Sequence, residues 1–361
     1  MNIIYTCMTV FILSFFSVYT ITPFIIKFAW KINFLDNPNS RKMHIKAIPL
    51  LGGIAVFAGF LIMVCYLILT KQHVLNLDII GYLAAALIIV AVGVIDDRFG
   101  MNPYLKLIGQ MSSCLIFLFS NNLISLLGPF YITLPILTLW MVGLMNAMNF
   151  LDNMDGIITG MSGILALGFY AFSFLSKNTG FSADADYISL LSLVFAGSVL
   201  GFLPYNFNPA KIFLGDAGSM FIGYFLSSLG ILCGKLAVRS MNNDLYYLLP
   251  VLLLSYAIFD ISLVSFTRKR DGRKISQGGK DHTTHRIGTA LGSPRITAFI
   301  IYLINIIIVL VTIIVFMMGS DKLLIIATVL FALIFLFFGR KLDQIPIIIP
   351  ENQLKNNEDK A

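Results

Sequence analysis

The chain has 361 residues, 58% hydrophobic and only 12% charged, with a formal net charge of +7. A soluble domain carries about 25% charged residues, so this composition excludes an ordinary soluble protein, and the positive balance reflects membrane topology, not nucleic-acid binding. Uncharged apolar runs long enough to span a bilayer as helices recur from end to end.

In chain order these runs lie near 3–26, 50–70, 78–95, 104–120, 131–150, 157–175, 187–204, 217–234, 246–266, 296–318 and 322–339. The predicted fold is therefore all-α and polytopic, with about eleven transmembrane helices. The first run lacks a basic leader and a small-residue cleavage site, so it reads as an uncleaved span. Residues 1–340 are expected to form one multi-pass membrane domain, because no loop between spans is long enough to fold separately. The polar tail 341–361 is expected to be disordered and cytoplasmic. Alternate loops carry the lysines and arginines: Lys31, Arg41, Lys42 and Lys46, then Arg98, then Lys211, then the dense stretch 267–286. Cytoplasmic loops retain such residues, which predicts an outside N-terminus and a cytoplasmic C-terminus. Cys7, Cys65, Cys114 and Cys233 all fall in apolar runs without C-x-x-C spacing, and buried packing is expected for them.

On this topology the unusual polar clusters share the cytoplasmic face: "DNPNSRKMHIKAIPLLGG", "IDDRFG", "NAMNFLDNMDG", "YNFNPAKIFLGDAGS" and "GGKDHTTHR". Retention of basic residues explains no aspartates, yet acids gather there too. Asp96 and Asp97 end a span side by side, and adjacent carboxylates repel unless a cation or basic group lies near, which suggests a divalent ion or a phosphate. Asp216 sits between Gly215 and Gly218 at the start of the next span, where helix amides favour anions. If helix continues through "NAMNFLDNMDG", Asn146, Asn149 and Asp152 or Asn153 share a face, and Asp155-Gly156 closes it. This oxygen-rich set, without cysteine, points to Mg²⁺ or Mn²⁺ and not zinc. His282, His285 and Arg286, in the most basic loop, fit recognition of a phosphate or diphosphate. Asp260 lies within a span, where ionisable residues face the bundle interior, and a link to Arg268 or another cation is expected. His73 receives no role.

Carboxylates, a divalent cation, basic groups and asparagine amides at one membrane face describe a phosphoryl-transfer site. There is no G-x-x-x-x-G-K-[ST] loop, so the chain is not a P-loop enzyme. A membrane-embedded enzyme makes sense if one substrate is a lipid phosphate.

The five clusters resemble, in order and wording, those of the polyprenyl-phosphate N-acetylhexosamine-1-phosphate transferase superfamily, glycosyltransferase family 4, in its WecA/TagO-like branch, which is related to MraY. "DNPNSRKMHIKAIPLLGGIA" looks like D-x-P-x-x-R-K-x-H…P-x-x-G-G-I, "DDRFG" like the paired-aspartate motif, "NAMNFLDNMDG" like N-A-x-N-x-x-D-x-x-D-G, and "PAKIFLGDAGSMFIG" like P-A-x-x-F-x-G-D-x-G-S. The resemblance covers roughly residues 30–290. It implies attack of undecaprenyl phosphate on the β-phosphorus of a UDP-N-acetylhexosamine, most readily UDP-GlcNAc, with release of UMP at the cytoplasmic face of the plasma membrane. It further implies Asp96, Asp97 and Asp216 as catalytic residues, with Asp216 as principal Mg²⁺ ligand and Asp97 beside it. By the same resemblance Asn149, Asp152 and Asp155 line the nucleotide-sugar site, Asn206 and Phe213 match positions of nucleoside and metal-site contacts, with Phe213 stacking on uracil, and Lys46 and Lys106 contact the diphosphate. The implied partners are undecaprenyl phosphate, the UDP-sugar and the bilayer, without nucleic acid, and a homodimer is allowed. The product would start a cell-envelope glycan such as a teichoic acid or O-antigen. One departure stands out: where the branch commonly has H-x-H-H-R, this chain reads "DHTTHR". The nearest rival is an MraY-like phospho-MurNAc-pentapeptide transferase, which favours T-P-T-M-G-G where this chain has "IPLLGG". A secondary transporter would place its acids near the midplane; here they gather at one face.

Overall fold

The computed structural model describes residues 3–38, 46–70, 76–274 and 279–346. Arg41, Lys42 and His44 of the first basic cluster, Lys71, His73 and the tail beyond residue 346 lie outside them. The protein is all-α and polytopic. Its helices are α1 Ile3–Lys31, α2 Gly52–Leu69, α3 Leu77–Phe99, α4 Pro103–Ser120, α5 Phe130–Leu151, α6 Ile157–Leu175, α7 Ser182–Asn206, α8 Gly215–Met241, α9 Leu248–Leu253, α10 Ser255–Arg270, α11 Thr283–Leu291, α12 Pro294–Met318 and α13 Asp321–Asp343. Helix occupies every place where a span was expected. Among the described residues nine helices are long and apolar enough to cross a membrane. Asp244–Leu253 and α10 together are apolar enough to make a tenth, but they meet at an angle of 72°, the geometry of a broken span or a re-entrant loop. Helix α4 is not among them; Lys106, Gln110 and a serine pair interrupt its apolar run.

Helix α8 is the hub. Its spanning window is 83% buried, against 17% for α13 on the rim, and α2, α3, α5, α6 and α7 all pack on it. Hydrophobicity does not drive helices together in lipid, so close packing and interhelical hydrogen bonds must. Tyr82 of α3 and Ser228 of α8 meet at 2.7 Å, Tyr224 donates to the Tyr82 carbonyl at 2.9 Å, and Trp140 Nε1 of α5 donates to the Ser227 carbonyl at 3.0 Å. Gly93 allows α3 to touch the start of α8: a Cβ there would lie 2.2 Å from Ala217 Cα, which no side chain tolerates.

A short antiparallel pair, β1 Leu35–Asp36 and β2 Ile48–Pro49, closes the loop after α1. Beyond β2 the backbone joins the stretch before α8, with Phe213 N–H donating to the Pro49 carbonyl at 2.8 Å and Gly53 N–H to the Leu214 carbonyl at 2.8 Å. Two motifs far apart in sequence are thus one structural unit. The four cysteines are free; three are buried as expected, but Cys65 is exposed on the outer face of α2. The last helix also runs further than expected, to Asp343, whose carboxylate pairs with Arg270.

Candidate active site

Four helix ends converge: the C-terminus of α3, the first turn of α4, the C-terminus of α5 and the N-terminus of α8. Lys106 stands between them. Its Nζ lies 2.8 Å from Asp96 Oδ2 and also pairs with Asp216. Asn149 Nδ2 donates to Asp216 Oδ1 at 2.8 Å and to Ser219 Oγ at 2.9 Å. The Asp96 carboxylate additionally accepts the Met101 N–H at 2.6 Å, which fixes the tight link between α3 and α4. Of the ion-paired side chains, Asp216 is the most open at 32% exposure, against 14% for Asp96 and 15% for Lys106. Asp216 is therefore the carboxylate best placed to meet a ligand.

Asp97 does different work. Its Oδ1 accepts the Asp216 N–H at 2.9 Å and its Oδ2 the Ala217 N–H at 3.1 Å. The first amides of a helix lack intrahelical partners, and the dipole there favours negative charge. Asp97 thus caps α8 from another helix. Gly215 makes room for it, with φ +72° and a would-be Cβ 2.6 Å from Asp97 Oδ2.

Helix α5 ends at Leu151, so Asn146 and Asn149 share its face while Asp152 lies just beyond it in the turn that leads to Gly156 at φ 76°. Asn146 and Gln110 exchange amide hydrogen bonds at 3.1 and 3.3 Å, bracing α5 against α4. Asp152 is half-buried. Burial, then the charges of Asp216, Asp97 and Asp155, push its carboxyl well above the usual carboxylate range. Asp96, Asp97, Asp152 and Asp216 thus set four carboxyl groups around the single ammonium of Lys106, and every candidate ligand atom is oxygen. That environment fits a hard divalent cation, which needs only one or two carboxylates when phosphates and water complete its shell. Among the described residues no group of three or more His, Cys, Asp or Glu side chains forms a ready-made metal cage. Asp216 and Asp152 are carboxylates that would hold the ion; Asp97, expected as a ligand, accepts one backbone N–H on each oxygen and keeps a further lone pair on each.

Several expected contacts lie elsewhere. Asn206 is buried: its Oδ1 accepts from Thr159 Oγ1 at 2.6 Å and Gly156 N–H at 3.2 Å, and its Nδ2 donates to the Ile212 carbonyl at 3.1 Å. It holds the loop before α8. Asp155 Oδ2 likewise accepts from Asn208 Nδ2 and Ala210 N–H, both at 3.0 Å, pinning the same loop. Phe213 is half-buried beside β2, and Lys46 is exposed at its entrance. Of the basic partners expected for Asp260, the one it meets is not Arg268 but a histidine. It meets His282 Nδ1 at 3.0 Å, whereas Arg268 forms a bidentate pair with Asp281 at 2.9 and 2.7 Å. Against the cost of burial, that guanidinium holds the Asp281 carboxyl down to about 2. Arg286 is buried too, donating to the carbonyls of Asp281 and Leu342 at 2.9 Å each. His282 and Arg286 are thus internal supports. Of the three expected binders on this segment, only His285 faces open space. It lines a cavity of about 290 Å³ with Met154, Lys280, Thr289 and Ser293, and its buried Nδ1 has no hydrogen-bond partner among the described residues. Burial, then the electrostatic influence of the neighbouring His282 and Lys280, lowers its pKa to about 4.

Ser219 and Gln110 belong to the site although sequence reasoning missed them. Their signal was helical spacing, Ser219 three residues after Asp216 and Gln110 four after Lys106.

Comparison with known proteins agrees with this geometry. The model of glycosyl transferase family 4 matches residues 79–234, which contain Asp96, Asp97, Lys106, Asn149, Asp152 and Asp216. A Bacillus subtilis protein described as a probable undecaprenyl-phosphate N-acetylglucosaminyl 1-phosphate transferase is 32% identical over 304 residues, covering 82% of this chain and 81% of its own length. A decaprenyl-phosphate N-acetylglucosaminephosphotransferase of Mycobacterium tuberculosis is 34% identical, covering 74% of this chain and 72% of its own length. A phospho-N-acetylmuramoyl-pentapeptide-transferase of Prochlorococcus marinus is 30% identical, covering 76% and 80%. Helices, site and relatives agree: the chain belongs to glycosyl transferase family 4, the polyprenyl-phosphate N-acetylhexosamine-1-phosphate transferases.

Proposed function

We propose that the protein transfers N-acetylglucosamine-1-phosphate from UDP-GlcNAc to a polyprenyl phosphate, releasing UMP. The lipid phosphate oxygen bonds to the β-phosphorus; the bond from that phosphorus to the bridging oxygen breaks, and UMP departs with the electron pair. The observation that carries this reading is Lys106 bridging Asp96 and Asp216 at the junction of four helix ends. Lys106 is held by two carboxylates where it can turn to a diphosphate once a divalent cation engages those carboxylates, and charge neutralisation of that kind is most of what phosphoryl transfer asks of a protein.

Asn149 orients the Asp216 carboxylate, and Asp97 fixes the backbone beneath it. Mg²⁺, when bound by Asp216 and Asp152, supplies further charge neutralisation to the diphosphate. No general base is required, because a phosphate monoester is already ionised at neutral pH. The distribution of loop lysines and arginines supports an active site on the cytoplasmic face of the plasma membrane, and the product would prime a cell-envelope glycan. The test is a membrane assay offering undecaprenyl phosphate and a panel of UDP-sugars, with UMP release measured. Turnover only with UDP-MurNAc-pentapeptide, or no UMP from any UDP-sugar, would reject the proposal.

A further inference from the structure

Asp260 is fully buried in α10. Its Oδ1 accepts from Thr283 N–H at 2.8 Å and Thr283 Oγ1 at 2.6 Å, and its Oδ2 faces His282 Nδ1 at 3.0 Å. A desolvated carboxylate is costly unless its lone pairs are satisfied; these donors satisfy it. Thr283 is the first residue of α11, so Asp260 caps α11 from a neighbouring helix, with the dipole in its favour.

The support continues through His282. Arg268 NH2 approaches its Nε2 at 3.4 Å, and a guanidinium only donates. Nε2 therefore accepts, which leaves the ring proton on Nδ1 for Asp260. With its tautomer fixed, the ring packs edge-on against Phe150 at 5.8 Å, and Arg268 lies over the same phenyl ring at 5.6 Å. Phe150 comes just before the end of α5. On the other side of Asp152, Thr284 Oγ1 donates to Asn153 Oδ1 at 2.6 Å. Helix α11 is thus fastened to the end of α5 on both sides of Asp152. The next residue, His285, walls the cavity that Met154 and Lys280 share. That cavity sets an imidazole, an ammonium and two hydroxyls among apolar walls from Met154, Pro294 and two glycines, the mixed lining with a few polar groups that a sugar nucleotide takes.

We propose that Asp260 is a positioning residue for the donor substrate: by seating α11 it sets the cavity wall relative to the Asp152–Asp216 site. This rests on the sugar-nucleotide transfer reading above. The test is Asp260→Asn in the full-length membrane enzyme, with UMP release measured while each substrate is varied. The asparagine keeps an oxygen for Thr283 but turns an N–H toward a ring nitrogen that already carries a proton. The expected result is a KM for UDP-GlcNAc raised about tenfold, with the KM for undecaprenyl phosphate unchanged. Thr284→Val cuts the α11–Asn153 link without touching the buried carboxylate, and should raise the same KM about threefold. It decides alone if Asp260→Asn does not fold. An unchanged UDP-GlcNAc KM in folded enzyme, with only yield or unfolding temperature reduced, overturns the proposal, as does an equal rise in both KM values. Wild-type UMP release from UDP-GlcNAc tests the underlying reading separately. Should another UDP-sugar prove to be the substrate, the variant-to-wild-type ratio with that sugar still decides the role of Asp260.

Discussion

The Asp97 carboxylate takes the backbone N–H of Asp216 at 2.9 Å, so the end of one helix caps the start of another across 119 positions of sequence. This contact separates aspartates that look equivalent in the motifs. Asp97 secures the backbone, whereas the more open Asp216 carboxylate faces Lys106 and Asn149. Asp97→Asn should lower stability by about 1–2 kcal/mol, the usual worth of a helix cap, as a reduced unfolding temperature in detergent. Asp216→Asn should leave that temperature nearly unchanged and cut turnover at least about 1,000-fold, roughly 4 kcal/mol of transition-state stabilisation. Equal thermal losses in both mutants would contradict this division.

Lys106 is the second test. Its ammonium lies in the first turn of α4, where the helix dipole disfavours a positive charge, and Asp96 and Asp216 compensate for it. Lys106→Gln should reduce kcat by about 100-fold or more. Lys106→Arg should rescue poorly, because a planar fork does not reproduce a compact ammonium between two carboxylates. Full activity in Lys106→Gln would remove the central cation from the mechanism.

Stability should also depend on pH through His285. Its folded pKa of about 4 lies below its usual 6.5, so the unfolded chain binds a proton that the folded protein refuses. Stability contributed by keeping this ring neutral is therefore complete above pH 6.5 and is lost progressively as pH falls toward 4. Asp281, held near 2 instead of 3.8, acts only at lower pH. Unfolding temperatures measured from pH 7 to about 4 should fall less steeply in His285→Gln than in wild type. Parallel curves would refute the assignment.

Topology can be checked independently. In a background with Cys7, Cys65, Cys114 and Cys233 replaced, single cysteines at Lys274 and Ser182 should differ, both sites being exposed. Only Ser182→Cys should react with an impermeant thiol reagent in intact cells if the basic loops face the cytosol. The opposite pattern would invert the orientation.

Much of the site was legible in the motifs, because Asp96, Asp216 and Asn149 stand at helix ends that the apolar runs themselves mark. The bonds that Asp97, Asp155 and Asn206 make to the chain itself were not. A polar side chain in a loop can bond a ligand or satisfy the chain's own backbone, and local sequence does not distinguish the two. Asp155 and Asn206 do the second, holding a segment before α8 that has no regular structure of its own. The Asp260–His282 contact joins residues 22 apart, in different helices, and no periodicity reports such a pairing. Lys106 did carry a physical signal: a lysine in the first turn of an apolar helix opposes the dipole and demands acidic company.

The final prediction contrasts Asp152 with Asp155, which the motif presents as a pair. Each change to asparagine keeps the shape and removes the charge. Asp155 accepts hydrogen bonds from Asn208 and Ala210 through one oxygen; an asparagine there retains one acceptor but weakens both bonds by removing their charge assistance. Asp155→Asn should therefore cost about 1–2 kcal/mol of stability while the folded fraction keeps most of its specific activity. Asp152 lies among like charges, with its carboxyl pushed up by burial and by Asp216, Asp97 and Asp155. Neutralising it relieves repulsion, so Asp152→Asn should leave the unfolding temperature unchanged or slightly higher. The excess charge that would attract a divalent cation is lost with it. Turnover should fall by about 100-fold or more, and the Mg²⁺ concentration needed for half-maximal activity should rise. Turnover, Mg²⁺ dependence and thermal unfolding measured side by side decide it. If Asp152→Asn loses stability and keeps its activity and Mg²⁺ requirement, Asp152 is a structural residue, and the metal reading must stand on Asp216 alone.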